Sequence, residues 1–299
     1  MGAEREEDDL AGLRFETLGA VTEVPDLELY SARDGATLPV RHYPAESDTT
    51  LVLIHGSGYH SRYLGPLAAS LAKRGAARVY TPDLRGHGSA PERRGDIDYV
   101  DQLEDDLADL AMHVGQRHPG TRVVIGGHSS GGGLALRFAG SPHGELADGY
   151  VLLAPFLGHD APTTRPASGG WARPRVPVIV ALSILNGFGI TALNGSTAIT
   201  FDMPEAVRDG TETLAYSFRL NTGYAPRDHA KDLAAVRVPL LGLIGADDEA
   251  FYPDKLGPTL TAHAAHAQIA VLTGVGHLDL PAAPETAERI ASWLAAHER

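Results

Sequence analysis

Short apolar runs alternate with longer stretches in which apolar residues recur every three or four positions, and this alternation holds along most of the chain. The runs at 50–55, 78–81, 122–126, 150–154, 239–244 and 268–272 each leave into a loop containing Gly, Pro or Asp, which predicts short strands buried on both faces. The stretches at 61–74, 99–117, 134–139, 254–266 and 285–296 carry the apolar spacing of amphipathic helices. Segments 27–33 and 38–43, joined through Asp34 and Gly35, predict an antiparallel hairpin. Strands that alternate with helices predict an α/β fold, with a mostly parallel central sheet covered by helices on both faces.

One region, 156–229, interrupts the alternation. It opens rich in Pro, Gly and Thr and continues into 176–201, which holds no charged side chain. About 20 apolar residues suffice to span a bilayer, but Pro177, Asn186, Gly187, Gly189, Asn194 and Gly195 break this run and lower its helix propensity. The segment is expected to be a lid over an apolar pocket, with Leu185 and Ile190 on a face turned toward the substrate, and no stable membrane insertion. The organisation that follows is an N-terminal extension at 1–26, a core at 27–155, a lid insertion at 156–229 and the rest of the core at 230–299.

Composition narrows the function. Twenty-five basic against 38 acidic side chains give a net charge of −13, and no basic cluster offsets it, so nucleic acid is not an expected partner. The absence of cysteine excludes disulfides, thiolate catalysis and Cys-based zinc sites. The acidic start, with Glu4, Glu6, Glu7, Asp8 and Asp9, does not resemble a secretion signal, and Glu6 stands where a myristoylation motif needs Ser or Thr. A cytoplasmic location is expected.

The chemistry concentrates at Gly127-His128-Ser129-Ser130-Gly131, a G-x-S-x-G pentapeptide between a strand pattern and a helix pattern. A nucleophile on so sharp a turn needs very small residues two positions to either side. Gly127 and Gly131 meet that need for Ser129, whereas a nucleophile at Ser130 would put His128 in the crowded place. A serine needs a base, and the base needs an acid to orient it. In this architecture the acid and then the histidine follow the serine on loops after later strands. His277 lies in the glycine-flanked loop after 268–272, while Asp247, Asp248 and Glu249 all occupy the loop after 239–244. The backbone N–H of Ser130 and of Ser57, in His55-Gly56-Ser57-Gly58, are the candidate oxyanion donors and so the expected substrate-binding groups, with His55 bracing the loop.

These motifs, with Asp83-Leu84-Arg85-Gly86-His87-Gly88-Ser89 and the continuation of the first loop through Tyr63, resemble the α/β-hydrolase superfamily. Within it the chain is similar to the monoacylglycerol lipases, lysophospholipases and serine esterases, over 27–155 and 230–299; Tyr59 stands where the lipase pattern carries glutamate. The resemblance implies an α/β-hydrolase fold with an inserted lid, and its glycine-to-aspartate spacing selects Asp248 as the acid. It further implies hydrolysis of a small-molecule ester through an acyl-enzyme on Ser129, with no metal and no organic cofactor. A serine peptidase, a thioesterase or acyltransferase, and a non-catalytic ligand-binding homologue share the scaffold. The number of subunits is left open.

Overall fold

The computed structural model describes residues 12–15, 23–168 and 170–297. Eight strands form one sheet: β1 (Leu27–Ser31), β2 (Thr37–Tyr43), β3 (Thr49–Ile54), β4 (Arg78–Pro82), β5 (Arg122–His128), β6 (Gly149–Leu153), β10 (Leu240–Gly245) and β11 (Gln268–Leu272), in the order β1-β2-β4-β3-β5-β6-β10-β11. Only β2 runs against its neighbours, pairing antiparallel with β1 and β4, and every other pair is parallel. Every residue of β3, β5, β6 and β10 is buried, which is why these strands are nearly continuous apolar runs.

Between the strands lie α1 (Gly65–Lys73), α2 (Gln102–Arg117) and α3 (Ser130–Ala139), and after β10 come α7 (Pro253–Thr261) and α8 (Pro284–Ala296). Helix α1 packs on α8, and α3 packs on α2. The core they enclose with the sheet includes Leu51, Leu53, Ile54, Tyr80, Phe138 and Tyr150, all essentially inaccessible.

The chain between β6 and β10 builds a second, three-stranded antiparallel sheet from β7 (Ala172–Pro174), β8 (Thr197–Phe201) and β9 (Ala215–Ser217). It also carries α4 (Val176–Gly187), α5 (Phe218–Tyr224) and α6 (His229–Ala235). Two expectations for the uncharged stretch are corrected. Pro177 does not break a helix, because it sits in the first turn of α4, where a proline lacks no needed N–H. Nor is the absence of charge a sign of burial. Helix α4 rests on Ala198 and Phe218 through Leu182, while Val176, Val180, Ile184, Phe188, Ile190 and Leu193 are exposed. At 12 residues α4 is about 18 Å long against the roughly 30 Å of a bilayer core. Among the described residues no helix is long and apolar enough to cross a membrane.

One buried cation joins the layers. Arg137 on α3 pairs with Glu104 and, at 2.7 Å, with Asp101, and it donates to the carbonyls of Thr222 (3.1 Å) and Ala225 (3.0 Å) around the end of α5. Glu104 is shared with Arg227 at 2.7 Å. Removing one member of a buried ion cluster leaves a desolvated charge short of partners. Arg137→Met is therefore expected to lower stability by about 3 kcal/mol, read as a lower urea midpoint at unchanged slope.

Candidate active site

Ser129 is the hinge between β5 and α3. Its φ of 56° is a left-handed value that a residue with a Cβ adopts only when its surroundings impose it. Here its N–H donates to the Leu153 carbonyl (2.9 Å), and its own carbonyl accepts from Gly133 (3.1 Å) and Phe156 (2.9 Å). The flanking glycines are demanded by packing. A Cβ on Gly127 would stand 2.2 Å from the Gly131 carbonyl oxygen, and one on Gly131 would stand 2.4 Å from the oxygens of Ile54 and His55. The turn can thus close only with the smallest residue on each side.

The loops after β10 and β11 deliver two more side chains. His277 Nε2 lies 3.0 Å from Ser129 Oγ, and His277 Nδ1 lies 2.8 Å from Asp248 Oδ2. Asp248 is fully buried, and its other oxygen accepts from the N–H groups of Ala250 (2.9 Å) and Phe251 (2.7 Å), so the carboxylate is aimed by the backbone. Its neighbours face elsewhere. Asp247 is exposed, and Glu249 accepts from the His277 backbone N–H at 2.8 Å while pairing with Arg14 at 2.9 Å. The structure therefore brings Ser129, His277 and Asp248 into one hydrogen-bonded line and leaves Asp247 outside it.

Ser57 and Ser130 lie together beside this line, their hydroxyl oxygens 2.6 Å apart. The amides on either side of Ser57 are already committed: Gly56 N–H donates to Tyr63 Oη and Gly58 N–H to Tyr216 Oη, each at 2.7 Å. The Ser57 N–H between them has no acceptor among the described residues. Ser130 opens α3, where helix geometry leaves an amide without an intrahelical partner. His55 braces the loop as its sequence context suggests, with Nδ1 donating to the Gly56 carbonyl (2.8 Å) and Nε2 accepting from Leu84 N–H (3.1 Å).

Two groups had no signal in the sequence. His128 Nδ1 accepts from the Tyr63 hydroxyl at 2.9 Å, and its Nε2 donates to the His277 carbonyl at 3.0 Å. A chain of hydrogen bonds thus runs from the Gly56 amide through Tyr63 and His128 to the backbone of His277, linking loops more than 200 residues apart. The cavity over Ser129 is only about 20 Å³, the room of about one water molecule. Besides Ser129, Ser57, His128 and His277 it is bordered by Leu13, Phe15, Trp171, Met203 and Leu278. The insertion reaches it through Trp171 and Met203, and Leu185 and Ile190 do not border it.

Burial holds three histidines of this region neutral. It depresses His55 to about 4, and puts His87 and His128 well below the ordinary histidine value. The unfolded chain takes up these protons below about pH 6.5 while the folded chain refuses them. Their contribution to stability is thus complete above that value and is lost as the pH falls toward 4, at up to roughly 1.4 kcal/mol per pH unit for each. Urea midpoints measured between pH 7 and 4 should fall steeply, with His55 alone costing roughly 3 kcal/mol by pH 4.

Comparison with known proteins identifies the family and the fold. The profile of the serine aminopeptidase S33 family matches residues 45–280. Human monoglyceride lipase is 31% identical over 129 residues, 42% of this chain and 41% of that protein. An uncharacterized protein of Mycobacterium tuberculosis is 30% identical over 174 residues, 55% of this chain and 48% of the relative, so the chain matches about half the length of these curated relatives. Among solved structures, a soluble variant of monoglyceride lipase from Saccharomyces cerevisiae superposes with a TM-score of 0.70 at 19% identity, over 93% of this chain and 97% of that one. The monoacylglycerol lipase of Paleococcus ferrophilus gives 0.66 at 21% identity, over 87% and 99%. At such identities the structural likeness carries the fold, an α/β-hydrolase fold with a mostly parallel eight-stranded sheet. The profile match over most of the length carries the rest: the chain belongs to the serine aminopeptidase S33 family of α/β-hydrolases.

Proposed function

We propose that this protein is a carboxylic ester hydrolase that acts on uncharged, lipid-like acyl esters through an acyl-enzyme on Ser129. The observation that carries the reading is the line Asp248–His277–Ser129, with contacts of 2.8 and 3.0 Å and the serine at a positive-φ turn. Ser129 Oγ attacks the ester carbonyl as His277 Nε2 takes its proton, and Asp248 keeps the imidazole in the tautomer that can accept it. The oxyanion that forms is met by the Ser57 and Ser130 amides, which have no competing acceptor to release first among the described residues. The tetrahedral intermediate expels the alcohol, which leaves with the proton from His277. Water then attacks the acyl-enzyme with His277 again as base, releasing the acid and restoring Ser129.

The lining of the cavity favours an uncharged ester over a peptide with a free amino terminus. An aminopeptidase needs a carboxylate facing the substrate's ammonium group, and among the described residues no Asp or Glu borders the cavity. Leu13, Phe15, Trp171, Met203 and Leu278 offer apolar surface instead. The name of the human relative, monoglyceride lipase, points to the same substrate class.

The test is a panel of p-nitrophenyl esters with a fluorophosphonate reagent. Ser129→Ala is expected to abolish both turnover and labelling with the fold retained, and labelling that persists at the site would move the nucleophile to Ser130. Asp248→Asn should lower the rate by about 10⁴, because the imidazole loses its orienting acceptor. The same change at the exposed Asp247 should alter it less than about twofold. An aminoacyl-p-nitroanilide cleaved faster than every ester would favour the peptidase reading.

A further inference from the structure

Two of the side chains that fill the space over Ser129 come from the start of the chain. Leu13 and Phe15 are each 8% exposed and border the same cavity as Ser129, Ser57 and His277. Phe15 meets the indole of Trp171 at 5.9 Å between ring centres, and Trp171 stacks on Phe201 at 4.7 Å. The same indole lies within 3 Å of where a Cβ on Gly58 would stand, so this aromatic stack sits directly on the loop that carries Ser57. Arg14, between the two apolar residues, turns outward. Its Nε pairs with Glu249 and its Nη2 with Asp279, both at 2.9 Å. Glu249 accepts from the His277 backbone and Asp279 follows it by two residues, so the segment is pinned to both loops that present the acid and the base.

A cavity of about 20 Å³ takes no acyl chain, so a substrate must move something that borders it. The anchors differ in strength. Trp171 is stacked on Phe201, and its carbonyl accepts from Asp202 N–H at 2.9 Å, just beyond the end of the β7–β8 pair. Among the described residues the polar anchor of Leu13 and Phe15 is an arginine side chain that is 49% exposed, and exposed ion pairs are weak and screened by salt. We infer that Leu13 and Phe15 occupy the acyl-binding space next to Ser129 and determine acyl-chain preference, because a long chain has to displace them and an acetyl group does not. The inference rests on the ester-hydrolase reading. It assigns a specificity role to a segment outside the region of the family match, which begins at residue 45.

The experiment compares kcat/KM for p-nitrophenyl octanoate and acetate in the wild-type protein, in the Leu13→Ala/Phe15→Ala double variant and in Arg14→Ala. The ratio of the two esters cancels any change in the chemical step common to both. The octanoate-to-acetate ratio is expected to rise about tenfold in the double variant, the scale on which a pocket discriminates an apolar group, and severalfold in Arg14→Ala. In the wild-type protein the ratio should also rise as NaCl is raised from about 0.05 to 0.5 M, and this response should disappear in Arg14→Ala. A ratio that falls in the double variant shows that the two side chains bind the acyl chain as a wall, and overturns the inference. An unchanged ratio in both variants overturns it as well. If the fluorophosphonate labels none of the three proteins, the ester-hydrolase reading fails and takes the inference with it. Labelling with unchanged ratios defeats the inference alone.

Discussion

The left-handed backbone at Ser129 is the constraint on which the site depends. A strand that ends in a helix one residue later has no room for an ordinary connection, and the chain makes the turn by placing a serine at a φ that costs on the order of 1–3 kcal/mol. Three backbone hydrogen bonds to Leu153, Gly133 and Phe156 hold it there, and the two glycines let α3 approach β5 and β3 within contact distance. The same compression that strains the serine presents its hydroxyl clear of the backbone and leaves the next amide, that of Ser130, at the open end of a helix. Geometry and electrostatics of the turn have one origin.

Neutral polar side chains carry that precision outward. His55, His87 and His128 are buried and uncharged, and each spends one ring nitrogen as a donor and the other as an acceptor. Tyr63 and Tyr216 take the amides of Gly56 and Gly58, which fixes the loop, and the Ser57 amide between them has no acceptor among the described residues. Had the bracing groups been charged, burial would have been far costlier. A histidine that stays neutral gives direction at a small desolvation cost, and the consequence is a dependence of the whole assembly on pH.

The insertion divides its apolar residues between two tasks. Trp171 and Met203 border the cavity over Ser129, whereas the wholly uncharged α4 rests on a small satellite cluster and shows much of its surface to solvent. The uncharged run and the apolar cavity wall are thus different parts of the chain.

What the sequence alone determined is whatever local chemistry dictates. Strands with both faces buried must be apolar throughout, so β3, β5, β6 and β10 were legible as runs, and the mostly parallel sheet followed from their alternation with helices. Gly127, Ser129 and Gly131 were legible because the turn's steric demand acts within five residues. The choice between Asp247 and Asp248 was not local. In space the two differ by their partners: Asp248 meets the amides of Ala250 and Phe251 and the His277 ring, and Asp247 faces water. Tertiary structure alone decided the roles of Tyr63 and His128, and the seating of Leu13 and Phe15 beside Ser129, because each depends on partners far away in sequence. Pattern reports what a residue prefers, and packing decides what it meets. The exposed face of α4 shows the difference, since an absence of charge permits burial without compelling it.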